Sequence, residues 1–333
     1  MKAIVIHRGG PAEVLQLREI EPPPLKAGQA RVAVKVAGLN HRDVWQRLSY
    51  PGPEAMVLGS DGAGVVEAVG ADADKGWLGR EVVVNPSLHW GDQEDAPGPN
   101  YQILGNPTFG TYGHAVTVPV ENLAPKPEHL DFLHAAAFPL AGLTAWRALF
   151  TQGRLQAGHT VLLPGIGSGV AGFALAFAKI AGARVIVTSS AEDKLKKARE
   201  QGADFGVNYK DDRWEQQVRD YAGPGGIDLV LDHSGERTIP AAIRLVRPGG
   251  RVVFLGVTTG ENLMIGLRQV YFKQIHLIGT AMGSPREFAA LCRFIALHRF
   301  TPEIHHTYPI AEAAAAHRLM ESGQQYGKIM LTV

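Results

Sequence analysis

Thr160-Val161-Leu162-Leu163-Pro164-Gly165-Ile166-Gly167-Ser168-Gly169-Val170-Ala171-Gly172 is the stretch on which the fold turns. A short aliphatic run enters a glycine-rich turn, and an Ala-rich helical pattern continues to Ile180. The turn contains a G-x-G-x-x-G frame starting at Gly167. Such a frame alone is weak, because Gly-rich turns are common. Between a strand and a helix it has a specific use, since residues without Cβ let backbone amides approach a pyrophosphate at the helix N-terminus. Gly165, Gly167, Ser168, Gly169 and Val170 are therefore the candidate dinucleotide-binding residues.

Reading outward, strands alternate with helices. The pattern predicts an Ala-rich helix over His134 to Leu149, strand Thr160 to Leu163, helix Val170 to Ile180, strand Arg184 to Thr188 and helix Glu192 to Gln201. Strand Asp228 to Asp232, a helix around Ile239 to Leu245 and strand Arg251 to Leu255 complete a βαβ array on a parallel sheet. An acidic residue ending the second strand would bond a ribose 2′-hydroxyl and repel a 2′-phosphate. Thr188, Ser189 and Ser190 stand there instead, with Lys194 one helical turn on and Tyr209 in the next strand region. Neutral hydroxyls and a lysine suit a dianionic phosphate, so NADPH is favoured over NADH. The alternative reading of Lys194 is a solvated helix residue beside Glu192 and Asp193.

The segment before Pro125 reads differently, as short β-rich runs broken by Gly and Pro: Lys2 to His7, Ala30 to Gly38, Ala63 to Val69, Glu81 to Asn85 and Gly113 to Val118. Trp90 to Gly110 is a polar lobe. From Ala281 onward, helices near Glu287 to His298 and Ala311 to Ser322 precede a closing strand, Lys328 to Val333. The expected division is a β-rich domain over 1–125, a Rossmann domain over 126–280, and a return to the first domain over 281–333, with the active site in a cleft between the two.

Composition narrows the partners. Lys plus Arg number 33 against 32 for Asp plus Glu, and they are scattered, which gives no nucleic-acid footprint. The apolar stretch Val161 to Ala183 contains Pro164 and several glycines, which suit a strand, turn and helix rather than a membrane span. No charged-then-apolar leader is read at Met1 to His7, and a cytoplasmic location is expected. The single cysteine, Cys292, excludes an intramolecular disulfide and any Cys-based zinc site.

The whole chain resembles the medium-chain dehydrogenase/reductase superfamily, and within it the zinc-independent quinone oxidoreductase-like branch. The residues that carry the resemblance are Gly38-Leu39-Asn40-His41-Arg42-Asp43-Val44-Trp45, Gly59-Ser60-Asp61-Gly62-Ala63-Gly64-Val65-Val66, Ala171, Lys179, Gly202-Ala203-Asp204, Pro248-Gly249-Gly250 and Gly327-Lys328. Zinc alcohol dehydrogenases of the superfamily place Cys where Asn40 stands and His where Ser60 stands. Their structural zinc needs four cysteines in the lobe near Trp90 to Tyr101, where His89, Asp92, Glu94 and Asp95 read as solvated loop residues.

The resemblance implies a GroES-like catalytic domain around a Rossmann domain, and direct hydride transfer from nicotinamide without a metal. Lacking a Lewis acid, such an enzyme needs substrates already polarised, such as quinones or enones, whose developing oxyanion asks only for hydrogen-bond donors. It also implies that Asn40 and Asp43 lie near the nicotinamide and that Trp45 lines the substrate cleft. Tyr50 follows as a phenolic donor. Thr144 is placed against the nicotinamide side, backbone groups near Gly256, Val257 and Thr280 against the carboxamide, and Lys328 as a residue reaching the cofactor. His41 and Arg42 depart from the apolar residues usual in quinone-reducing members, which leaves a more polar or anionic substrate open. The apolar segment Leu263 to Ile278 resembles the edge through which the superfamily extends its sheet, so a homodimer is expected, with a tetramer as the alternative. Two other functions compete: an alcohol dehydrogenase with improvised metal ligands, and a non-enzymatic NADPH-binding protein of crystallin type.

Overall fold

The computed structural model describes residues 1–333. The chain forms two compact units, Met1–Leu143 with Gly283–Val333, and Thr144–Met282.

The second unit is built on a six-stranded sheet in the order Phe205–Asn208, Arg184–Ser189, Thr160–Leu163, Ile227–Asp232, Val246–Phe254, His276–Gly279. Every pairing is parallel. In chain order this is the 3-2-1-4-5-6 arrangement, whose direction of winding reverses beside the first strand. All four residues of Thr160–Leu163 are buried, as a strand packed on both faces requires. The expected strands and helices around it are present, with ends shifted by a few residues. The sequence reading placed only an unbounded strand region at Tyr209, where strand Phe205–Asn208 lies, and missed helix Trp214–Ala222. Its signal was the spacing of Trp214, Val218, Tyr221 and Ala222, an apolar stripe on an otherwise polar helix. Tyr221 of that stripe stacks on Phe205, with ring centroids 4.5 Å apart and planes 8° from parallel.

The expected helix over His134 to Leu149 is three pieces: Phe132–Ala135, Pro139–Trp146 and a wider π turn over Arg147–Gln152. Pro139 is the cause. It has no N–H to donate, and its ring would collide with the carbonyl four residues back, so it opens a new helix instead. The pieces up to Leu143 belong to the first unit, where Phe138 stacks on Phe288 at 6.2 Å and the Leu140 amide bonds Asp61. The boundary expected at 125 therefore falls near 143.

The first unit carries a seven-stranded sheet. Its path runs Leu123–Pro125, Glu81–Val84, Asp61–Val69, Gln29–Gly38, Lys328–Thr332 and Ile304–Pro309, with Ala115–Pro119 also paired to Gln29–Gly38. Two registers matter for the site: Gly38 sits opposite Asp61 on one side and opposite Met330 on the other. The C-terminal segment does return to the first unit. Ile4, Ile6, Leu39, Leu58, Tyr112, Ile329 and Leu331 pack into one core beside these strands.

In the lobe after Trp90 the organiser is an aromatic residue. Trp90 is buried, donates its indole N–H to the Gln93 carbonyl at 2.8 Å and meets Tyr101 edge-on at 5.3 Å. Glu94, expected to be only solvated, accepts the Ser284 hydroxyl at 2.6 Å at the start of helix Pro285–His298. No helix of the chain is long and apolar enough to cross a membrane.

Candidate active site

In the second unit the candidate cofactor residues, Thr144 and the helical Lys194 excepted, fall at the carboxyl ends of five of the six strands, where sheets of this kind bind ligands. Gly165 has φ +70° and Gly167 φ +122°, backbone that L side chains rarely adopt. Ser168 caps helix Gly169–Ile180, its hydroxyl accepting from the Ala171 amide at 3.2 Å. The remaining amides of the first helical turn have no intrahelical acceptor and present a positive end. Ala171 is fully buried, whereas a Cβ on Gly172 would meet nothing within 4 Å. The close-packed residue of this turn is thus Ala171 rather than Gly172.

At the second strand end, Thr188 braces the turn rather than facing a ligand: its carbonyl accepts from Ile166 at 2.8 Å and its hydroxyl from the Gly165 amide at 3.2 Å. Ser189 is buried and its hydroxyl accepts from the Ala191 amide at 3.1 Å. Ser190 and Lys194 are half-buried, and Tyr209 is exposed. Burial lowers the Lys194 pKa, against the pull of Asp193. Gly256 has a purely spatial role, since a Cβ there would lie 2.3 Å from the His233 carbonyl oxygen. Val257 is exposed, and the buried Thr280 hydroxyl oxygen has no hydrogen-bond partner. Thr144 lies away from these strand ends in sequence, its hydroxyl 3.8 Å from the Met282 sulfur.

In the first unit the structure gathers residues from three distant segments. Asn40 precedes helix His41–Ser49, and its backbone N–H donates to Asp43 Oδ2 at 2.9 Å. Its side-chain Nδ2 donates to Asp61 Oδ2 at 2.9 Å. The Lys328 ammonium, 3 % exposed, donates to the Leu39 carbonyl at 2.7 Å and to Asn40 Oδ1 and Asp61 Oδ2, each at 2.8 Å. An ammonium has three donors, and all three are taken within this unit. Lys328 is therefore a buried ion-pair partner of Asp61 that holds the Asn40 amide, not a residue with a donor left for a cofactor.

Arg42, on the first turn of the same helix, donates from Nη1 to Ser60 Oγ at 3.1 Å and to the Leu104 carbonyl at 3.0 Å. Ser60 is buried, and its hydroxyl donates to that same carbonyl at 2.8 Å. Gly59 makes the turn possible, with φ +98° and a Cβ position only 2.3 Å from the Tyr112 ring. Two of the expected substrate residues lie further along and just past the same helix. Trp45 is exposed next to His41, ring centroids 6.3 Å apart, and Tyr50 at the end of the helix donates its hydroxyl to the Glu54 carbonyl at 3.0 Å. The Tyr50 proton is thus held in its own loop, leaving only the oxygen to accept.

Comparison with known proteins completes this geometry. Residues 26–128 match the family model for the alcohol dehydrogenase GroES-like domain, and residues 169–296 match that for zinc-binding dehydrogenase. The chain is 33 % identical over 339 residues to the zinc-type alcohol dehydrogenase-like protein YogA of Leptosphaeria maculans, covering 96 % of this chain and 94 % of that one. The chain belongs to the medium-chain dehydrogenase/reductase superfamily. Among solved structures, this dehydrogenase/reductase is 38 % identical to an NAD-dependent alcohol dehydrogenase, with a TM-score of 0.94 and full coverage of both chains. It is 25 % identical to the crotonyl-CoA carboxylase/reductase AntE in complex with NADP, with a TM-score of 0.92 over 100 % of this chain and 94 % of that one.

Three residues of this medium-chain dehydrogenase/reductase went unassigned at the sequence level. Asp61 lay inside a quoted motif, but its partner is 267 positions away. Tyr112 donates its hydroxyl to Asp43 Oδ2 at 3.1 Å. His233 packs under the glycine turn, its Nε2 3.3 Å from Ser168 Oγ, and burial lowers its pKa against the opposing charge of Asp232. A visible signal for His233 was Asp-His-Ser-Gly directly after an apolar strand.

Asp43 and His317 make the stability of the first unit depend on pH in opposite senses. Burial, opposed mainly by Arg42, raises the Asp43 pKa from 3.8 to about 6. Burial, assisted by Arg47, lowers that of His317 from 6.5 to about 3. Both side chains touch Tyr112, one through its hydroxyl and one edge-on to its ring at 5.8 Å. The Asp43 contribution is fully present below its unfolded pKa and is lost as pH rises through about 6. The His317 contribution runs the other way, because its stability is lost as pH falls below 6.5, where the unfolded state takes up a proton that the folded state refuses. Asp43→Asn should therefore show a steeper fall in melting temperature than the parent between roughly pH 6 and 4. His317→Leu should show the opposite change of slope. Identical slopes for all three proteins would contradict this assignment.

Proposed function

We propose that this chain is a zinc-independent, NADPH-dependent reductase of conjugated carbonyl compounds, with enones and quinones as acceptors. The observation that carries the proposal is the chemistry at Asn40 and Ser60. Zinc-using members place a thiolate and an imidazole at these positions. Here the amide oxygen of Asn40 accepts from an ammonium and the hydroxyl of Ser60 accepts from a guanidinium. Two cations beside an amide and a hydroxyl do not suit a dication, which asks for anionic or imidazole ligands.

The second unit fits the dinucleotide. The positive end of helix Gly169–Ile180 and the two positive-φ glycines suit a pyrophosphate. Ser189, Ser190, Lys194 and Tyr209 offer donors, with no strand-end carboxylate, for a 2′-phosphate. NADPH supplies the hydride when bound. The protein's part is to orient the substrate and to offer hydrogen-bond donors to the oxygen that gains charge. Asn40 Nδ2 and the Arg42 guanidinium are the candidates for that task, and their value depends on being held in place beforehand. Lys328 and Asp61 position the Asn40 amide, while Ser60 and Leu104 position Arg42. Support also comes from the similarity to a crotonyl-CoA carboxylase/reductase bound to NADP, a protein named for a conjugated thioester.

The 38 % identity to an NAD-dependent alcohol dehydrogenase favours the second reading, an alcohol oxidised with NAD. Initial rates of NADPH and NADH oxidation with a quinone, an enone and a saturated ketone, set beside reduction of NADP⁺ and NAD⁺ by alcohols, separate the two. The proposal requires the conjugated acceptors with NADPH to give the highest rates. Faster oxidation of an unactivated alcohol with NAD⁺ would establish the second reading, and no turnover with any acceptor would leave a dinucleotide-binding protein of crystallin type.

We also propose a homodimer. Between Gly266 and the edge strand His276–Gly279, helix Leu267–Phe272 leaves Leu267, Tyr271 and Phe272 71 %, 66 % and 78 % exposed, with Met264 just before it at 93 %. An apolar cluster of this kind beside an unpaired strand edge is what a partner covers. Phe272→Asp should shift the protein from dimer to monomer in sedimentation at micromolar concentration; a parent protein already monomeric there would contradict the proposal.

A further inference from the structure

Arg42 is a cation with part of its hydrogen-bonding capacity uncommitted. A guanidinium carries five N–H donors in a fixed plane. In this structure both of its bonds leave from Nη1, to Ser60 Oγ and to the Leu104 carbonyl. Nε and Nη2 make none. No carboxylate oxygen lies within 4.0 Å of Arg42, although lysines and arginines elsewhere in the chain pair with carboxylates. The nearest candidate, Asp43, directs Oδ2 to the Asn40 amide and the Tyr112 hydroxyl. Asp61 is committed to Lys328, Asn40 and the Leu140 amide. The guanidinium is half-buried, and its charge is disfavoured chiefly by that burial. It is also rigidly held, because its two acceptors are a main-chain carbonyl and a buried hydroxyl bonded to that same carbonyl.

A fixed, partly desolvated guanidinium with the Nε/Nη2 edge unused is the geometry that receives a carboxylate through two parallel bonds. We propose that Arg42 is a specificity-determining residue that binds the carboxylate of an α,β-unsaturated acid. This rests on the reductase reading above and names its substrate class. An unsaturated carboxylate is by itself a poor hydride acceptor, because the negative charge of the carboxylate opposes addition, and pairing with Arg42 relieves that opposition. In the step, Cβ of the acid gains a C–H bond from the hydride that leaves C4 of NADPH. The π pair of the C=C bond moves toward the carboxyl group, where Arg42 meets the added charge. Water then protonates Cα, giving the saturated acid and NADP⁺.

The test compares crotonate with methyl crotonate, two acceptors that share the C=C bond and differ in charge. For Arg42→Gln the KM of crotonate should rise by about a hundredfold, the effect of losing a charge-assisted bidentate contact, while the ester, which loses only a donor to its developing oxyanion, should fall in kcat with its KM changed by less than about threefold. Arg42→Lys, which keeps the charge without the planar fork, should restore part of the crotonate affinity. Calorimetric binding of crotonate in the presence of NADP⁺ should be seen for the parent protein and lost in Arg42→Gln, a readout that needs no turnover. Equal losses for acid and ester, or crotonate binding unchanged in Arg42→Gln, would overturn the role of Arg42. Turnover of quinone and ester by the parent, with no binding of crotonate, would do the same while leaving the reductase reading intact. Crotonate binding that depends on Arg42, without turnover of any acceptor, would support the anion site and overturn the reductase reading alone.

Discussion

Lys328→Met should lower the stability of the protein by about 3–5 kcal/mol, the range seen when one partner of a buried ion pair is removed. Lys328 and Asp61 are 3 % and 0 % exposed and 2.8 Å apart. Removing the ammonium leaves the Asp61 carboxylate with the Asn40 amide and the Leu140 N–H as donors, and no compensating cation bonded to it. The methionine stem fills similar volume, so the loss is electrostatic rather than a cavity. Combining it with Asp61→Asn removes the buried charge and should recover much of the loss, since replacing both members of such a pair is far less harmful than replacing one. Because Lys328 also bonds Asn40 Oδ1, the single variant should reduce kcat as well. Urea unfolding of the parent and of both variants checks the stability values. A single variant within about 1 kcal/mol of the parent would mean that the pair is solvated in the working protein.

Ser189→Asp should cut kcat/KM for NADPH roughly a hundredfold and change that for NADH by less than about threefold. The figure follows from charge repulsion: two unit charges 4 Å apart at an effective dielectric of 20 interact by about 4 kcal/mol, and solvent at the half-buried Ser190 and exposed Tyr209 beside the buried Ser189 reduces this. The fold should tolerate the change, because an aspartate can accept from the Ala191 amide as the Ser189 hydroxyl does. Steady-state kinetics with both dinucleotides is the check. A parent enzyme that prefers NADH, or a variant that loses both cofactors alike, would show that the 2′-phosphate does not bind at this strand end.

How much was legible in the sequence depended on range. The glycine turn, the strands feeding it and the hydroxyl-rich second strand end are local patterns, legible without any knowledge of distant pairing. Pro139 was in plain view as a helix breaker, yet the Ala-rich composition around it outweighed it in the reading. The Lys328–Asp61–Asn40 network was out of reach, because it exists only once Gly38 is in register with Asp61 on one side and with Met330 on the other. The same holds for Asp43, whose place in a helix-capping turn under Tyr112 depends on a strand pairing seventy residues of chain cannot announce. Tyr50 was proposed from proximity in sequence to the motif, and its hydroxyl instead closes its own loop on Glu54. Lys328 was recognised as part of a pair, Gly327-Lys328, but side-chain direction follows from the register of the last strand and not from the motif.

The central claim is reduction of an already polarised carbonyl compound without zinc. The most direct measurement is single-turnover NADPH oxidation by chelator-treated protein of determined zinc content, with an enone and with the matching saturated ketone. The account predicts less than one tenth of a zinc per subunit as a rough ceiling, enone turnover unaffected by chelation, and a saturated ketone slower by at least about a hundredfold, the cost of an oxyanion that only hydrogen-bond donors stabilise. One tightly held zinc per subunit, with ketone and enone activity both lost on its removal and restored by its return, would contradict it.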